Sequence, residues 1–271
     1  MELNKIYNES NLDTMARMPD NFIDLTVTSP PYDGLRTYNG YSFDFENIAK
    51  ELYRVTKDGG VVVWVVGDAT VNGSESGTSF KQALFFKECG FNLHDTMIYK
   101  RNTPFPSTTR YYQEFEYMFV FSKGKPKCFN YLTQRKTEET IKDAQRRNIK
   151  KTEARGVDGK IKSNRFSDKS KNDVNRIKSN IWSYDVGGGK STIDMIAYQH
   201  PAIFPDKLVS DHIYTWSNEN DIVYDCFMGS GTTAKMAHLQ NRNWIGSEIS
   251  KEYVELAEKR IAPYLAQTSL F

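Results

Sequence analysis

Apolar residues along this chain follow two rhythms that alternate. Residues 23–28 (IDLTVT) and 61–66 (VVVWVV) are short, continuous and rich in β-branched side chains. That is the pattern of strands covered on both faces. Residues 45–56 instead place Ile48, Leu52 and Val55 at helical spacing, and Lys57-Asp58-Gly59-Gly60 reads as the stop that follows. A second helix is expected over 79–89, closed by Gly90, and strands over 95–99 and 116–121. After a long polar stretch the alternation resumes. It predicts helix 207–216, strand 221–224, helix 232–240, strand 243–248 and helix 250–260, the last capped by Ser250. Strands alternating with helices predict an α/β fold with a mostly parallel sheet. The interruption, residues 125–190, is polar, basic and without apolar periodicity, so it reads as an insert. The expected division is 1–124, 125–190 and 191–271, with no internal repeat.

Composition narrows the class. The 271 residues are 39% hydrophobic, enough for a sizeable core. Cys89, Cys128 and Cys226 are scattered and form no CxxC pair, which argues against a zinc site or a disulfide framework and for a reducing compartment. No metal is expected. The first ten residues lack the apolar core of a signal peptide, and the longest apolar run, 61–66, is far too short to span a bilayer. A soluble, cytoplasmic protein is expected. Charge is uneven. Residues 133–180 hold 15 Lys/Arg against 7 Asp/Glu, an excess of eight, in a chain whose formal net charge is +2; the remainder therefore carries −6. A basic island on an acidic body suggests a polyanion, although a solvated insert has the same composition.

Two loops carry candidate chemistry. Near the C-terminus, Gly229-Ser230-Gly231-Thr232-Thr233-Ala234 follows a predicted strand and opens a predicted helix. Glycines there allow a sharp turn and a close ligand approach, and the helix start supplies unpaired N–H groups. Glu248, at the end of the next strand, can take both hydroxyls of a ribose. NAD and S-adenosylmethionine both suit such a loop. Only 40 residues follow Gly231, so the other strands must precede it and the sheet is built in permuted order. Gly187-Gly188-Gly189-Lys190-Ser191 looks like a phosphate-binding loop, but Tyr184 stands where GxxxxGK[ST] needs glycine. It reads as a hinge.

Near the N-terminus, Ser29-Pro30-Pro31-Tyr32 lies just beyond a strand, where open α/β sheets place ligands. A double proline offers rigid carbonyls without competing N–H donors. Tyr32 adds a stacking face and Ser29 a small polar group. The loop could hold a planar amino group by hydrogen bonds while stacking the attached ring. Taken alone, it reads rather as a simple Pro-Pro turn.

Together the two loops resemble the amino-methylating DNA methyltransferases of the β arrangement. Their catalytic loop, [D/N/S]PP[Y/F], matches Ser29-Pro30-Pro31-Tyr32, and their cofactor loop, FxGxG, matches Phe227-Met228-Gly229-Ser230-Gly231. Catalytic half, target-recognition region and cofactor half follow in the same order, and the likeness covers about residues 7–261 apart from the basic insert. The resemblance implies a Rossmann-like fold that uses S-adenosylmethionine. Asp225, Phe227, Gly229, Gly231, Thr232 and Thr233 would surround its methionine moiety, with His200 and Pro201 of His200-Pro201-Ala202-Ile203-Phe204-Pro205 beside them. Glu248 would bind the ribose. Ser29, Pro30, Pro31 and Tyr32 would hold a base flipped out of double-stranded DNA. Many relatives carry Gly-Asp before the first helix to touch the adenine; here Asn8-Glu9 stands instead. In the insert, Arg135, Arg146, Arg147, Lys150, Lys151, Arg155 and Arg165 become candidates for phosphate and major-groove contacts. Arg101, Arg110, Tyr111 and Tyr112 are further candidates, or ordinary surface residues.

Serine at the loop's first position resembles members acting on N4 of cytosine, whereas those acting on N6 of adenine more often carry aspartate. Two other readings stay open: an NAD-dependent oxidoreductase, and a DNA-binding protein with an inactive methyltransferase fold. The resemblance also implies a bacterial or phage origin. It leaves open a homodimer and a companion restriction endonuclease.

Overall fold

The computed structural model describes residues 1–31, 43–105, 107–147, 153–155, 161–163 and 174–266, without the side chains of 103–105, 143–147, 153–155 and 161–163. In chain order the elements are β1 (Lys5–Tyr7), α1 (Asn11–Ala16), β2 (Ile23–Thr28), α2 (Phe45–Val55), β3 (Thr56–Val66), β4 (Thr70–Val71), β5 (Ser74–Glu75), α3 (Thr78–Glu88), β6 (Asn92–Phe105), β7 (Gln113–Ser122), β8 (Thr133–Arg135), α4 (Glu138–Arg147), β9 (Glu153–Arg155), β10 (Ile161–Ser163), β11 (Asn175–Ile177), β12 (Ile181–Tyr184), a 3-10 turn (Met195–Gln199), α5 (Asp206–Trp216), β13 (Ile222–Asp225), α6 (Thr232–Leu239), β14 (Asn243–Ser247) and α7 (Lys251–Leu265).

Eight strands form one sheet in the order β1-β14-β13-β2-β3-β7-β6-β12. All run the same way except β7, which pairs antiparallel with both β3 and β6. The expected α/β architecture with a mostly parallel sheet is therefore present, in permuted order. Its C-terminal strands β13 and β14 lie beside the N-terminal strand β2. Every residue of β2 is buried, as its apolar run predicts.

Strand period places alternate side chains of β3 on opposite faces. Val62, Trp64 and Val66 join Leu52 of α2, Phe86 of α3 and Phe121 of β7 in one core. Trp64 also donates its indole N–H to Gln82 (2.9 Å), so the polar end of this buried ring is satisfied. α5 lies on the other face, where His212 meets the sulfur of Met118 on β7.

Two local departures from the pattern are instructive. Lys57-Asp58-Gly59-Gly60 does not end a helix; it is the first part of the 11-residue β3. Hydrogen bonds to the segment after β7, Gly59 N–H to Lys123 O (2.6 Å) and Lys127 N–H to Gly59 O (2.9 Å), draw it into the strand, where Gly59 keeps a left-handed φ of +78°. Register with β2 slips there instead, between Ile23 and Leu25. Second, β12 lies within the polar stretch 125–190 yet joins the main sheet beside β6. The chain forms two compact units, residues 1–130 with 180–271, and residues 131–179. The smaller unit contains the antiparallel pairs β8–β11 and β9–β10, and α4. Among the described residues no helix is long and apolar enough to cross a membrane, and no group of three or more His, Cys, Asp or Glu is placed to hold a metal.

At the amino ends of the central strands, Asp24 ties three segments. It accepts from Lys57 (2.8 Å), Lys127 (2.6 Å) and the N–H of Ile222 (2.9 Å), while Lys127 also reaches Asp221 (2.7 Å). The carboxylate is buried but both lysines are part-exposed, so solvent screens the pairs. Asp24→Asn is expected to cost about 1–2 kcal/mol in urea unfolding. Unchanged stability would remove this tie from the account.

Candidate active site

Parallel neighbours deliver their following loops to one edge, so Ser29-Pro30-Pro31 after β2, the glycine loop after β13 and Glu248 after β14 converge. One carboxylate joins the first two. Asp225, fully buried, accepts from the Thr28 hydroxyl (2.6 Å), the Thr233 hydroxyl (2.6 Å) and the Phe227 N–H (3.0 Å). Burial pushes its carboxyl above the ordinary range, and these three donors oppose that.

The glycine loop is shaped by close packing. Gly229 has φ +49°, and a Cβ there would stand 3.0 Å from Nε2 of His200. Gly231 has φ +80° and caps α6; a Cβ there would stand 2.9 Å from Cβ of Ala257 on α7. Both positions need glycine for conformation and for space. His200 is itself positioned by the Ala202 backbone, with Nδ1 2.8 Å from the carbonyl and 3.1 Å from the nitrogen, and by Tyr253, 4.4 Å between ring centroids. The structure thus brings the segment beginning His200-Pro201 against the loop, with Pro201 exposed. The ring of Phe227 packs beside Phe43 and Trp64.

Thr232 and Thr233 are both buried, and their hydroxyls turn inward: Thr232 donates to Phe204 O (3.2 Å) and Thr233 to Asp225. They serve the loop's framework. Glu248 accepts the Gly229 N–H (2.9 Å) on one oxygen and the Ser250 N–H (2.9 Å) on the other. Each carboxylate oxygen has a second lone pair, so capacity for two ligand hydroxyls remains. Burial raises its pKa against those backbone hydrogen bonds. Asn8 donates to the carbonyls of Glu248 and Ile249 (both 3.0 Å), fastening β14's turn. Glu9 is held by Thr14 (2.7 Å) and Arg17.

In the Ser-Pro-Pro loop, Pro30 is buried and Ser29 and Pro31 are half-buried; Tyr32 lies outside the described residues. Of the basic candidates, Arg135 is exposed on β8, Arg146 and Arg147 end α4, and Arg155 ends β9; Lys150, Lys151 and Arg165 lie outside the described residues. Arg101 pairs with Glu116 (3.2 Å). Arg110 pairs with Glu75 (3.5 Å) and donates to Gly73 O, while Tyr111 and Tyr112 are exposed.

Sequence reasoning missed what lies beneath the glycine loop. Arg260 of α7, fully buried, donates to Ser230 O (3.0 Å), Thr232 Oγ1 (2.8 Å), Thr192 Oγ1 (3.1 Å), Asp206 (2.7 Å) and Asp194 (2.8 Å). Lys235 of α6 reaches the same two carboxylates at 2.6 and 2.8 Å, and the Tyr264 hydroxyl donates to Asp194 (2.5 Å). Two cations balance two anions, and the guanidinium supports the loop from below.

These features define a class. The DNA methylase family model with N6 and N4 members matches residues 23–259, and the chain belongs to that family. It is 59% identical over 246 residues to orphan methyltransferase M.BamHII of Bacillus amyloliquefaciens, covering 90% of each chain. Its fold resembles the cytosine-N4-specific PvuII DNA methyltransferase (TM-score 0.67, 22% identity, 94% of this chain and 85% of that one). It also resembles M1.HpyAVI in complex with SAM (TM-score 0.60, 21% identity, 94% and 98%).

Burial opposes the charge on Asp194, but Lys235, Tyr264 and Arg260 hold its pKa down, from its ordinary 3.8 to about 2. A depressed carboxylate contributes stability above its unfolded pKa and loses it as pH falls through the folded value. The network's contribution is therefore expected to be complete above about pH 5 and to fade toward pH 2. Arg260→Met leaves two part-buried carboxylates facing one lysine. It is expected to cost about 3–5 kcal/mol at neutral pH and to flatten this acid dependence in urea unfolding. A loss under about 1 kcal/mol with the acid profile intact would show that the cluster does not support the fold.

Proposed function

We propose that this DNA methylase transfers a methyl group from S-adenosylmethionine to the exocyclic N4 amine of cytosine in duplex DNA. The observation that carries the reading is the convergence of a rigid Ser-Pro-Pro loop and a glycine loop, both fixed by Asp225. The residues fit the cofactor. Gly229 and Gly231 keep side chains out of the loop that opens α6, and Glu248 keeps lone pairs for a ribose. Bound there, S-adenosylmethionine supplies an electrophilic methyl group.

The chain's own part is positioning. Ser29 Oγ and the Pro30 carbonyl would accept from the amine's two hydrogens. An amine so held points its lone pair toward the methyl group, instead of sharing it with the ring. Proline stiffness keeps the two acceptors in place without main-chain donors that would compete. Reaching a cytosine in a duplex requires base flipping, with Tyr32 as the stacking face. Serine at position 29 supports cytosine over adenine. The cations of residues 131–179 would bind DNA phosphates.

The test is to incubate the protein with S-adenosylmethionine and mixed-sequence duplex DNA, then analyse the nucleosides by mass spectrometry. N4-methylcytosine is expected; N6-methyladenine would overturn the base assignment, and no methylated nucleoside would overturn the activity. Pro30→Ala is expected to lower turnover about 10- to 100-fold while calorimetry still detects the cofactor. Gly229→Val, driven into His200, is expected to abolish cofactor binding. Equal loss of cofactor binding in both variants would contradict this division of labour.

A further inference from the structure

The turn Gly187-Gly188-Gly189-Lys190-Ser191 fails the phosphate-loop pattern in sequence, yet it occupies a distinctive place in the fold. Gly187 and Gly189 have φ of +104° and +74°, and nothing lies within 4 Å of where a Cβ would stand on any of the three glycines. Their role is conformational, not a matter of close packing. The turn closes by the Lys190 N–H to Gly187 O (3.0 Å). Tyr198 clamps it, with a hydroxyl that donates to Gly187 O (2.9 Å) and accepts the Gly189 N–H (2.7 Å). From β6, Asn102 donates to Asp185 (2.5 Å) and accepts the Val186 N–H (3.0 Å). A glycine turn fixed on both sides holds Lys190 at the rim of a cleft.

That cleft, of about 460 Å³, is lined by Lys100, Arg101, Asn102, Asp185, Lys190 and Lys207 among others. Four cations face one carboxylate. Glu114, Glu116 and Asp211, which do not line the cleft, pair with Lys100 (3.4 Å), Arg101 (3.2 Å) and Lys207 and orient these side chains. Asp211 is itself held by the Tyr184 hydroxyl (2.9 Å).

The position matters as much as the charge. β6 and β12 run in the same direction as β2, so the cleft and the Ser-Pro-Pro loop open at the same edge of the sheet. In the strand order β2-β3-β7-β6-β12 the cleft lies three to four strands from that loop. At about 4.8 Å per strand this is roughly 14–19 Å. Along a duplex that distance corresponds to about four to six base pairs. The glycine loop after β13 lies on the other side of β2.

We propose that this cleft seats a backbone phosphodiester of the duplex, about four to six base pairs from the target base. The proposal rests on the DNA-methylating reading above. A phosphate held there carries no sequence information; it fixes the register of the duplex against the catalytic loop. The cleft is wide enough for a phosphate with its flanking sugars, and Arg101 and Asn102 supply planar donors beside the three lysine charges.

The test is the salt dependence of binding to a 30-base-pair mixed-sequence duplex, for the wild type, Lys190→Gln and Lys190→Gln/Lys207→Gln. Each lost phosphate contact is expected to flatten the log Kd against log salt slope by about 0.9, with cofactor affinity unchanged. Lys100→Gln, at a half-exposed position on β6, gives the same readout if the other variants do not fold. Slopes identical to wild type in folded variants would overturn the proposal. So would loss of inorganic phosphate binding with the DNA slope unchanged, which would assign the cleft to a free anion. Failure of the wild type to methylate any duplex would instead sink the underlying reading and leave the slopes as a separate result.

Discussion

The arrangement of this edge depends on one buried carboxylate. Asp225 ends β13, and its two oxygens take the hydroxyl of Thr28 from β2 and the hydroxyl of Thr233 from α6. An acidic group with almost no exposure is costly unless its lone pairs are filled. Here the donors that fill them belong to the segments on which the site is built. Desolvation of the acid, which by itself opposes folding, thereby becomes a constraint on loop positions. Ser29 and Pro30 follow directly from Thr28, and the glycine loop lies between Asp225 and Thr233. The distance between a held amine and a bound methyl donor would be set through this group.

A second buried polar assembly underlies the first. Arg260, Lys235, Asp194 and Asp206 neutralise one another under Ser230 and Thr232. Such clusters stabilise little compared with an apolar core of equal volume, but they tolerate the loss of no member. Their geometry is correspondingly specific. The glycine loop is therefore fixed from both sides, by Asp225 in the sheet and by Arg260 behind it. Its backbone would be arranged before any ligand arrives, which reduces the ordering that binding requires.

Much of this architecture was legible from residue pattern. The β-branched runs at 23–28 and 61–66 are strands because only such side chains fill a sheet covered on both faces. Ser29-Pro30-Pro31 and Gly229-Ser230-Gly231 stood out because turn chemistry is local. What was not legible is non-local. Asp194, Asp206, Lys235 and Arg260 come from four separate segments, and nothing in their spacing marks them as one cluster. Thr232 and Thr233 seemed free to meet a ligand, yet the fold gives both hydroxyls to the framework. β1 is three residues long, too short for a period to register. β12 was hidden inside a basic stretch, although IWSY alternates exposed and buried positions.

If Asp225 couples the two loops, Thr28 of β2 helps to set the affinity of the glycine loop for its ligand. Thr28→Val keeps the shape of the side chain and removes its donor to Asp225, together with the weak acceptor it offers the Cys226 thiol (3.8 Å). Calorimetric titration with S-adenosylmethionine is the direct measurement. Binding about tenfold weaker, a loss of about 1.4 kcal/mol, is the expected result, in a protein that remains folded. An unchanged Kd would contradict the account, because it would mean that the two loops are held independently and that Asp225 does not couple them.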